Sequence, residues 1–386
     1  MPSANKPGGQ VKIELASMII GLLKEPAHET RVSLLAEAVA TLSKKGITVI
    51  VENGAGEKAF CSNADYEKAG AQIKSRSEVL TSSDIILSIH QPEQQAIGNR
   101  QSAIFIGVYQ PLFNADIMKQ WAVSGVTVFS LDMLPRTTRA QAMDVLSSQA
   151  NIAGYKAVLT AANSYGRYFP MFMTAAGSIA PAKVLILGAG VAGLQAIATA
   201  KRLGSVVEVF DTRPAVKEEV MSLGAKFIEV EGAADASKAG GYAVEQSEGF
   251  LQRQKARIAE SIAKADIVIT TAQIPGKKAP VLITEEMIKA MRNGSVIIDL
   301  AAATGGNTPV TKNNETINYN GVSIIGNSSL QSTMPSDASK LYGKNVLNFL
   351  QLIITKEGAI SLNWEDDLVK GSCIAHNGEI IHERLK

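Results

Sequence analysis

The sequence predicts an α/β protein in which two doubly wound, Rossmann-like parallel-sheet domains are joined by two long helices. Short runs of β-branched residues alternate with amphipathic helical patterns along most of the 386-residue chain, as in parallel sheets covered by helices. A glycine-rich turn joins a strand pattern to a helix pattern within 184–200. Two long helical patterns separate the alternating blocks, and this separation indicates two domains.

The composition is that of a globular protein with enough apolar residues for two cores. Hydrophobic residues make up 46% of the chain and charged residues 19%. The formal net charge of +2 lacks the basic excess of a nucleic-acid-binding protein, so we expect no nucleic-acid partner. The two cysteines, Cys61 and Cys373, and the four histidines have no metal-ligand spacing, so we expect neither a disulfide framework nor a bound metal.

We expect neither a secretory signal nor a membrane span. The first ten residues, MPSANKPGGQ, lack the apolar core of a signal peptide. The apolar window 184–200 contains three glycines, is flanked by basic residues and is shorter than the ~20 residues that a span requires. The sequence therefore predicts a chain that is soluble when isolated.

The first predicted domain is discontinuous and comprises 1–145 plus 355–386, because we expect the C-terminal segment to return to it. Its strand patterns lie at 47–52, 84–89, 102–108 and 126–131, and its helical patterns at 31–46 and 112–125. The turn NGAG at 53–56 has no third glycine and no acid after a second strand, so we expect no dinucleotide in this domain.

The second predicted domain, 165–336, contains five strand patterns and is expected to bind a cofactor. These patterns are KVLILG, SVVEVFD, DIVITT, GSVIIDL and VSIIGN. Linking helices are predicted at 146–164, which belongs to a helical pattern without proline, and at 337–354, where apolar residues recur at helical spacing.

A dinucleotide-binding motif follows the first strand of the second domain. Gly188, Gly190 and Gly193 form G-x-G-x-x-G between the strand VLIL and a helix. The first glycine permits the tight turn, the second lets a pyrophosphate approach the helix N-terminus, and the third lets helix and strand pack closely. The next strand ends in Asp211, where a carboxylate is expected to bind the adenosine ribose. The predicted cofactor-binding residues around this motif are Gly188, Gly190, Val191, Gly193, Asp211, Thr212 and Arg213.

Asp211 favours NAD(H) over NADP(H) as the cofactor of this chain. A carboxylate at the ribose repels the 2′-phosphate that distinguishes NADP(H). Arg213 leaves the alternative open, because a nearby arginine can bind that phosphate. The same arginine can instead be solvated or lie against the adenine.

The stretch PRTTRAQAMDVLSSQANIAGY, residues 135–155, concentrates hydrogen-bonding side chains ahead of a helix. Arg136, Arg139, Gln141 and Asp144 occur there in no spacing typical of a catalytic site. From the residues alone, a capped helix start and a binding site are both open interpretations.

Several long segments resemble the NAD(H)-binding domain I of proton-translocating NAD(P) transhydrogenase, part of its α subunit and related in fold to alanine dehydrogenase. Together these segments cover nearly the whole chain, whereas 1–16 is an extension and 90–116 matches poorly. The segments are KEPAHETRV (24–32), the stretch 135–155, GAGVAGLQAIATAKRLG (188–204), AGGYAVEQS (239–247), IPGKKAPVLITEEMI (274–288), GSVIIDLAAATGGN (294–307) and LNFL.

The resemblance implies that Arg136, Gln141 and Asp144 form a loop over the nicotinamide, with Ser147 as a further contact. A carboxamide needs a donor and an acceptor to fix its ring face, and Asp144 would orient the other two side chains. The resemblance also implies a mobile loop at 239–247 that closes over the cofactor. Further expected cofactor contacts are Gly241, Tyr242 and Gln273.

The implied reaction is direct hydride transfer between NAD(H) on this chain and NADP(H) on a partner, the β subunit or domain III. Such transfer needs two nicotinamides at near-attack distance and no general acid or base at the reacting carbon. A membrane-spanning domain would couple it to proton translocation, so the chain would be an NAD(P)+ transhydrogenase active only with partner subunits. The resemblance further implies a homodimer, peripheral on the cytoplasmic side of the inner membrane, for which the long helices could supply the interface.

Two other functions stay open. An alanine dehydrogenase-like amino-acid oxidoreductase shares this architecture but needs a lysine and a histidine to bind its substrate and move a proton. His90 and Val108 stand at those positions here, and we expect His90 to be a polar edge residue. A non-catalytic, NAD-binding regulatory module is the second alternative.

Overall fold

The computed structural model describes residues 18–93, 102–230, 232 and 247–386. The strands in these ranges form two large β-sheets and a small hairpin. Within these ranges, every helix is too short or too polar to cross a lipid bilayer. The strands of the first sheet are β1 (Ile19–Leu22), β2 (Thr48–Glu52), β3 (Gln72–Lys74), β4 (Ile85–Leu87), β5 (Ile104–Gly107), β6 (Thr127–Ser130), β16 (Cys373–His376) and β17 (Glu379–Ile380).

The first sheet has the strand order of a doubly wound fold. Its parallel part runs β3-β2-β1-β4-β5-β6, so the order reverses between β1 and β4. Two strands from the C-terminal segment extend the sheet, because β16 pairs antiparallel with β6 and β17 pairs antiparallel with β16. All four strand patterns predicted for this region form strands, and β1 and β3 lie outside those patterns.

The second sheet repeats the same order. It runs β11-β10-β9-β12-β13-β15-β14, with only β14 antiparallel to its neighbour, and the five predicted strand patterns form β9, β10, β12, β13 and β15. The ranges are β9 (Lys183–Leu187), β10 (Val206–Phe210), β11 (Lys226–Phe227), β12 (Ile267–Thr270), β13 (Val296–Asp299), β14 (Thr316–Tyr319) and β15 (Val322–Ile325). Every residue of β12 and β13 is buried, as expected for parallel strands covered on both faces. The predicted fold class is confirmed.

The helices cover both faces of the two sheets, and two of them are long. Between the sheets in sequence lies the hairpin of β7 (Phe172–Thr174) and β8 (Gly177–Ile179). The helices are α1 (Ala36–Ser43), α2 (Asn63–Lys68), α3 (Arg76–Ser82), α4 (Ala115–Val123), α5 (Val145–Ser164), α6 (Val191–Arg202), α7 (Lys217–Ser222), α8 (Glu248–Ile262), α9 (Glu285–Lys289), α10 (Pro335–Ile353) and α11 (Asp367–Ser372).

The two long helices, α5 and α10, pack against different cores. Ala153, Ala157 and Ala161 of α5 belong to the core of the second sheet. Tyr342 and Phe349 of α10 belong to the core of the first sheet. The helical pattern of the sequence extends back to about 142, but the chain forms a separate 3-10 helix at Thr138–Met143 and α5 begins only after Asp144, which caps it.

Gly154 allows α5 to lie directly on α6, the helix that follows the glycine-rich turn. A Cβ at this position would overlap the carbonyl oxygen of Ala192, in the first turn of α6. A glycine is therefore required for the two backbones to approach this closely. As a result, α5 is in direct contact with the helix whose N-terminus was predicted to bind a pyrophosphate.

Candidate cofactor site

A cleft of about 1250 Å³ lies at the carboxyl ends of the strands, between residues of the two sheets. Parallel α/β sheets bind ligands at this edge. Most of the predicted site residues line the cleft: Arg136, Gln141, Asp144, Ser147, Gly188, Gly190, Val191, Asp211, Thr212, Arg213 and Gln273. Gly241 and Tyr242, with the rest of the loop predicted to be mobile up to residue 246, lie outside the described residues.

The three glycines of the motif meet three different steric requirements. Gly188 has φ of 108°, a left-handed conformation that other residues rarely adopt. A Cβ on Gly193 would overlap the carbonyl oxygen of Gly188, so this residue permits the close packing of turn and helix. Apart from Gly190 itself and its two chain neighbours, no described residue has a heavy atom within 4 Å of a Cβ built on Gly190. The space above Gly190, in front of the N-terminus of α6, is therefore open to a pyrophosphate.

Asp211 ends β10 and is held by hydrogen bonds from the turn and from Arg213. Its Oδ2 accepts from the backbone N–H of Ala189 at 2.7 Å and from Nη2 of Arg213 at 2.7 Å. Its Oδ1 accepts from the backbone N–H and Nε of Arg213 at 2.8 and 2.9 Å. The side-chain hydrogen bonds to Asp211 raise the pKa of Arg213, and the four hydrogen bonds together occupy the usual acceptor positions of the carboxylate. Ribose hydroxyls therefore compete with the Arg213 side chain for Asp211.

The segment 136–144 presents Arg136 and Gln141 to the cleft and ends in a helix cap. Oδ1 of Asp144 accepts from the backbone N–H of Ser147 at 2.9 Å, and Oδ2 accepts from the Ser147 hydroxyl at 2.6 Å. Both oxygens of Asp144 thus accept hydrogen bonds from Ser147, which lies in the first turn of α5. Each oxygen keeps a second acceptor position, so the orientation of Arg136 and Gln141 by Asp144 stays a prediction.

Arg139 lies in the same segment but points away from the cleft. Its guanidinium donates two hydrogen bonds of 2.6 Å to the carboxylate of Asp366 and also pairs with Asp367. Asp366 in turn caps α11. Arg139 therefore joins the segment to the C-terminal region of the chain, and its cluster with Arg136 in the sequence does not persist in the fold.

Gln273 lies on a loop that is closed by a single buried asparagine. Asn307 is fully buried, and its Nδ2 donates to the carbonyl oxygens of Ala272 and Pro280 at 2.9 and 2.8 Å. Its Oδ1 accepts from the backbone N–H of Ala272 at 3.1 Å. This side chain fixes both ends of the loop that carries Gln273 into the cleft wall. The sequence patterns did not indicate Asn307, although it ends the segment GSVIIDLAAATGGN.

The corresponding edge of the first sheet is filled by carboxylates of the chain itself. Where the strand order reverses, Glu25 after β1 accepts from the backbone N–H groups of Ile89 and His90 after β4, at 2.6 and 3.0 Å. Glu29 accepts from Nε and Nη2 of Arg31 at 2.9 and 2.7 Å, and it pairs with Nε2 of His90 at 2.7 Å. Ser332, in the 3-10 helix Leu330–Thr333 after β15, also donates to Glu29 at 2.9 Å.

The pKa values of Glu25 and Glu29 are shifted in opposite directions. Burial raises the pKa of Glu25 to about 7 and outweighs the two N–H groups that favour its charged form. Burial also acts to raise the pKa of Glu29, but hydrogen bonds from Arg31 and His90 hold it well below its usual range. His90 thus has its side chain bound to Glu29, while Val108 lines the cleft.

The raised pKa of Glu25 predicts a pH dependence of stability. Between about pH 4.5 and 7, the native state keeps a proton on Glu25 that the unfolded chain has released. The contribution of Glu25 to the free energy of unfolding therefore falls as the pH rises through this range, by about 3 kcal/mol. Urea denaturation of the wild type and of Glu25→Gln at pH 5, 6, 7 and 8 measures the effect.

The Glu25→Gln variant should gain stability relative to the wild type as the pH rises, because glutamine has no proton to lose. Glu67→Gln, at an exposed position, is the matched control and should follow the wild type. A constant difference between Glu25→Gln and the wild type at all four pH values would contradict the prediction.

Comparison with known proteins relates this cleft to two groups of enzymes. The chain matches "Alanine dehydrogenase/PNT, N-terminal domain" over residues 21–153 and "Alanine dehydrogenase/PNT, C-terminal domain" over residues 157–383. It is 43% identical over 367 residues to a polypeptide of the NAD(P) transhydrogenase alpha subunit in Rhodospirillum rubrum, covering 92% of this chain and 96% of that protein. It is 27% identical over 297 residues to alanine dehydrogenase of Staphylococcus saprophyticus, covering 75% and 73%.

A solved structure shares the whole architecture. The crystal structure of transhydrogenase from Sinorhizobium meliloti matches with a TM-score of 0.86 and 44% sequence identity, over 94% of this chain and 100% of that chain. The likeness therefore extends across both sheets and the cleft between them.

Proposed function

The chain belongs to the alanine dehydrogenase/PNT family, and we propose that it is the NAD(H)-binding component of a proton-translocating NAD(P) transhydrogenase. Its transhydrogenase relatives support an oxidoreductase role that uses a nicotinamide cofactor. The observation that carries the proposal is the cleft itself, in which the segment 136–147 faces the turn Gly188–Val191. A nicotinamide and a pyrophosphate at these two places would belong to one bound dinucleotide.

We infer the following orientation of NAD(H). The pyrophosphate lies at Gly190 and Val191, where the backbone N–H groups and the dipole of α6 favour an anion. The adenosine ribose lies at Asp211. The nicotinamide lies at the other end of the cleft, between the segment 136–147 and Gln273. Tyr242 and Gly241 would contact it from the loop that lies outside the described residues.

The proposed reaction moves a hydride, with its electron pair, from C4 of one nicotinamide to C4 of the other, on the NADP(H)-binding partner. The donor ring becomes the oxidised cofactor, and no proton is taken up at the reacting carbons. The contribution of this chain is to hold its nicotinamide with one face open to the partner at ~3–3.5 Å. Arg136 and Gln141 supply donors and an acceptor for the carboxamide.

An alanine dehydrogenase-like reaction is a weaker candidate for this chain. That reaction requires a base to move the proton of its substrate. His90, at the position of the required lysine, has its imidazole bound to Glu29, and Val108 cannot carry a proton. Transfer between two nicotinamides makes no such demand.

The proposed partners are an NADP(H)-binding β subunit or domain III, which would cover the cleft, and a membrane-spanning domain that couples transfer to proton translocation. The chain would then be active only in this assembly, on the cytoplasmic side of the inner membrane. A regulatory NAD-binding module would have the same cleft but would transfer no hydride. Mixing the isolated chain with an NADP(H)-binding partner domain and following reduction of an NAD analogue separates the two.

We further propose that the chain forms a homodimer through the hairpin β7–β8. The hairpin exposes three large apolar side chains: Met171 is 64%, Phe172 43% and Met173 73% exposed. The ring of Phe172 stacks on that of the half-exposed Tyr168, with 4.9 Å between the ring centroids. An apolar patch of this kind is typical of a protein interface. The long helices are less suitable than the sequence suggested, because their apolar faces pack on the two cores.

Replacement of Phe172 and Met173 by serine should abolish dimerisation, because it removes the apolar surface of the hairpin. Light scattering at micromolar concentration should give a dimer mass for the wild type and a monomer mass for the variant. Met221→Ser, at a position 56% exposed on α7, is the control and should stay dimeric. A monomeric wild type, or a dimeric double variant, would contradict the proposed interface.

The chain should bind NADH more tightly than NADPH, because Asp211 repels the 2′-phosphate of NADPH. Asp211→Ala should reduce the difference in affinity, because NADH would bind more weakly and NADPH more tightly. Calorimetric titration of both nucleotides measures it, with Asp116→Ala on the surface of α4 as the control. Equal affinities of the wild type for the two nucleotides would reject the proposed cofactor choice.

Arg136→Ala should slow hydride transfer to the partner's nucleotide at least tenfold, which corresponds to about 1.4 kcal/mol. NADH affinity should fall by a smaller factor, because the adenosine and pyrophosphate contacts lie elsewhere. Single-turnover stopped-flow with the partner domain, alongside equilibrium NADH binding, measures both quantities. Arg202→Ala, at the far end of α6, is the control.

Two results would count against this role of Arg136. A normal rate at saturating NADH would mean that the segment only starts a helix. An equal loss of rate and affinity would mean that Arg136 binds ground state and transition state alike.

A further inference from the structure

Two amide side chains of α10 bind a single backbone oxygen of the segment 136–144. Nδ2 of Asn345 donates to the carbonyl oxygen of Ala142 at 2.8 Å, and Nδ2 of Asn348 donates to the same oxygen at 2.9 Å. The two asparagines are three residues apart and therefore lie on one face of α10. A carbonyl oxygen has two lone pairs, so these two donors saturate it.

Ala142 lies near the end of the segment, between a residue of the cleft lining and the cap of α5. It follows Gln141, which lines the cleft, and it precedes the cap at Asp144 by two residues. The 3-10 helix ends at Met143, and the last carbonyl groups of a helix have no partner within it. The two amides of α10 donate to the carbonyl of Ala142 and so fix the end of the segment to α10.

The energetics of Asn345 favour a role in positioning over a role in stability. This residue is 8% exposed, and its Oδ1 has no hydrogen-bond partner among the described residues. A buried acceptor without a partner costs about 1–3 kcal/mol, which offsets the about 1 kcal/mol contributed by the hydrogen bond from Nδ2 to Ala142, so a leucine of similar size should be no less stable here. Rotating the amide would place Oδ1 against the oxygen of Ala142. One orientation is thus enforced at the expense of stability.

The remaining contacts of α10 connect this support to the rest of the cleft. Ser339 Oγ accepts from the backbone N–H of Val32 at 2.9 Å, and the carbonyl of Ala338 accepts from Nε2 of Gln149 on α5 at 3.0 Å. Ala140 and Met143 are buried beside α10 in the first core. The segment is therefore fixed to α10, and α10 is fixed to α5, the helix that lies on α6.

We propose that Asn345 and Asn348 are positioning residues for hydride transfer. Through the carbonyl of Ala142 they hold Gln141 and Arg136 at a defined height over the nicotinamide. Neither asparagine lines the cleft, so both would act through the segment and not on the cofactor itself. This inference rests on the proposed function of the segment 136–147.

The test uses Asn345→Leu, Asn348→Leu and the double variant. Gln351→Leu is the matched control, because Gln351 is an exposed amide on the same helix whose side chain makes none of the bonds to Ala142. In the double variant, amide hydrogen exchange of residues 138–147 in the isolated chain should accelerate at least tenfold. Transfer in single-turnover reactions with the partner domain should slow at least fivefold, while NADH affinity stays within threefold.

The single variants keep the test decisive if the double variant folds poorly. Asn345→Leu should retain the thermal midpoint of the wild type and still show faster exchange and slower transfer. A fall of stability, affinity and rate together in this variant would indicate a structural role and would overturn the proposal.

Two further outcomes separate this inference from the proposed function. Unchanged exchange at 138–147 in the double variant would overturn the inference whatever the segment does. Faster exchange with normal transfer would also overturn it. If Arg136→Ala still slows transfer in that case, the proposed function stands and only the positioning role is lost.

Discussion

The contact between α5 and α6 is the constraint on which the cleft depends. Gly154 lets α5 lie against the carbonyl oxygen of Ala192, so no side chain separates the two backbones at this position. One end of α5 carries the cap Asp144–Ser147, and the neighbouring end of α6 carries the turn with Gly190. Because the two helices are in backbone contact, the distance between the polar segment and the phosphate-binding turn is fixed by packing. The residues that would touch a nicotinamide and those that would touch a pyrophosphate thus belong to one rigid arrangement.

The two sheets show that one topology can lead to two different sites. Both have the strand order of a doubly wound fold, with a crevice where the order reverses. In the second sheet this crevice is open above Gly190, and glycines keep it so. In the first sheet, Glu25 accepts hydrogen bonds from the backbone N–H groups of Ile89 and His90, and Glu29 forms a salt bridge with Arg31. These groups are therefore already bonded within the chain and are not left to bind a phosphate in the same way. The chemistry of the site is therefore decided by the loops and not by the sheets.

The periodicity of the sequence was sufficient to predict the fold class, since buried parallel strands and amphipathic helices leave strong local patterns. It did not indicate β1, because IIGL is short and contains a glycine, although this strand is central to its sheet. Local patterns also placed the dinucleotide motif and Asp211. They could not reveal Asn307, Asn345 or Asn348, whose partners are backbone atoms of segments far away in the sequence. The pairing of Asp144 with Ser147 was equally hidden, because capping and ligand binding call for the same residue types.

The most direct test of this account is a crystal structure of the chain with NADH bound. The account predicts the pyrophosphate within hydrogen-bonding distance of the backbone N–H groups at Gly190 and Val191, and the ribose at Asp211 with the side chain of Arg213 displaced. It predicts the nicotinamide beside Arg136, Gln141 and Ser147, with the positions of α5 and α6 unchanged. A nicotinamide beyond the reach of that segment, or a cofactor bound at the edge of the first sheet, would contradict it.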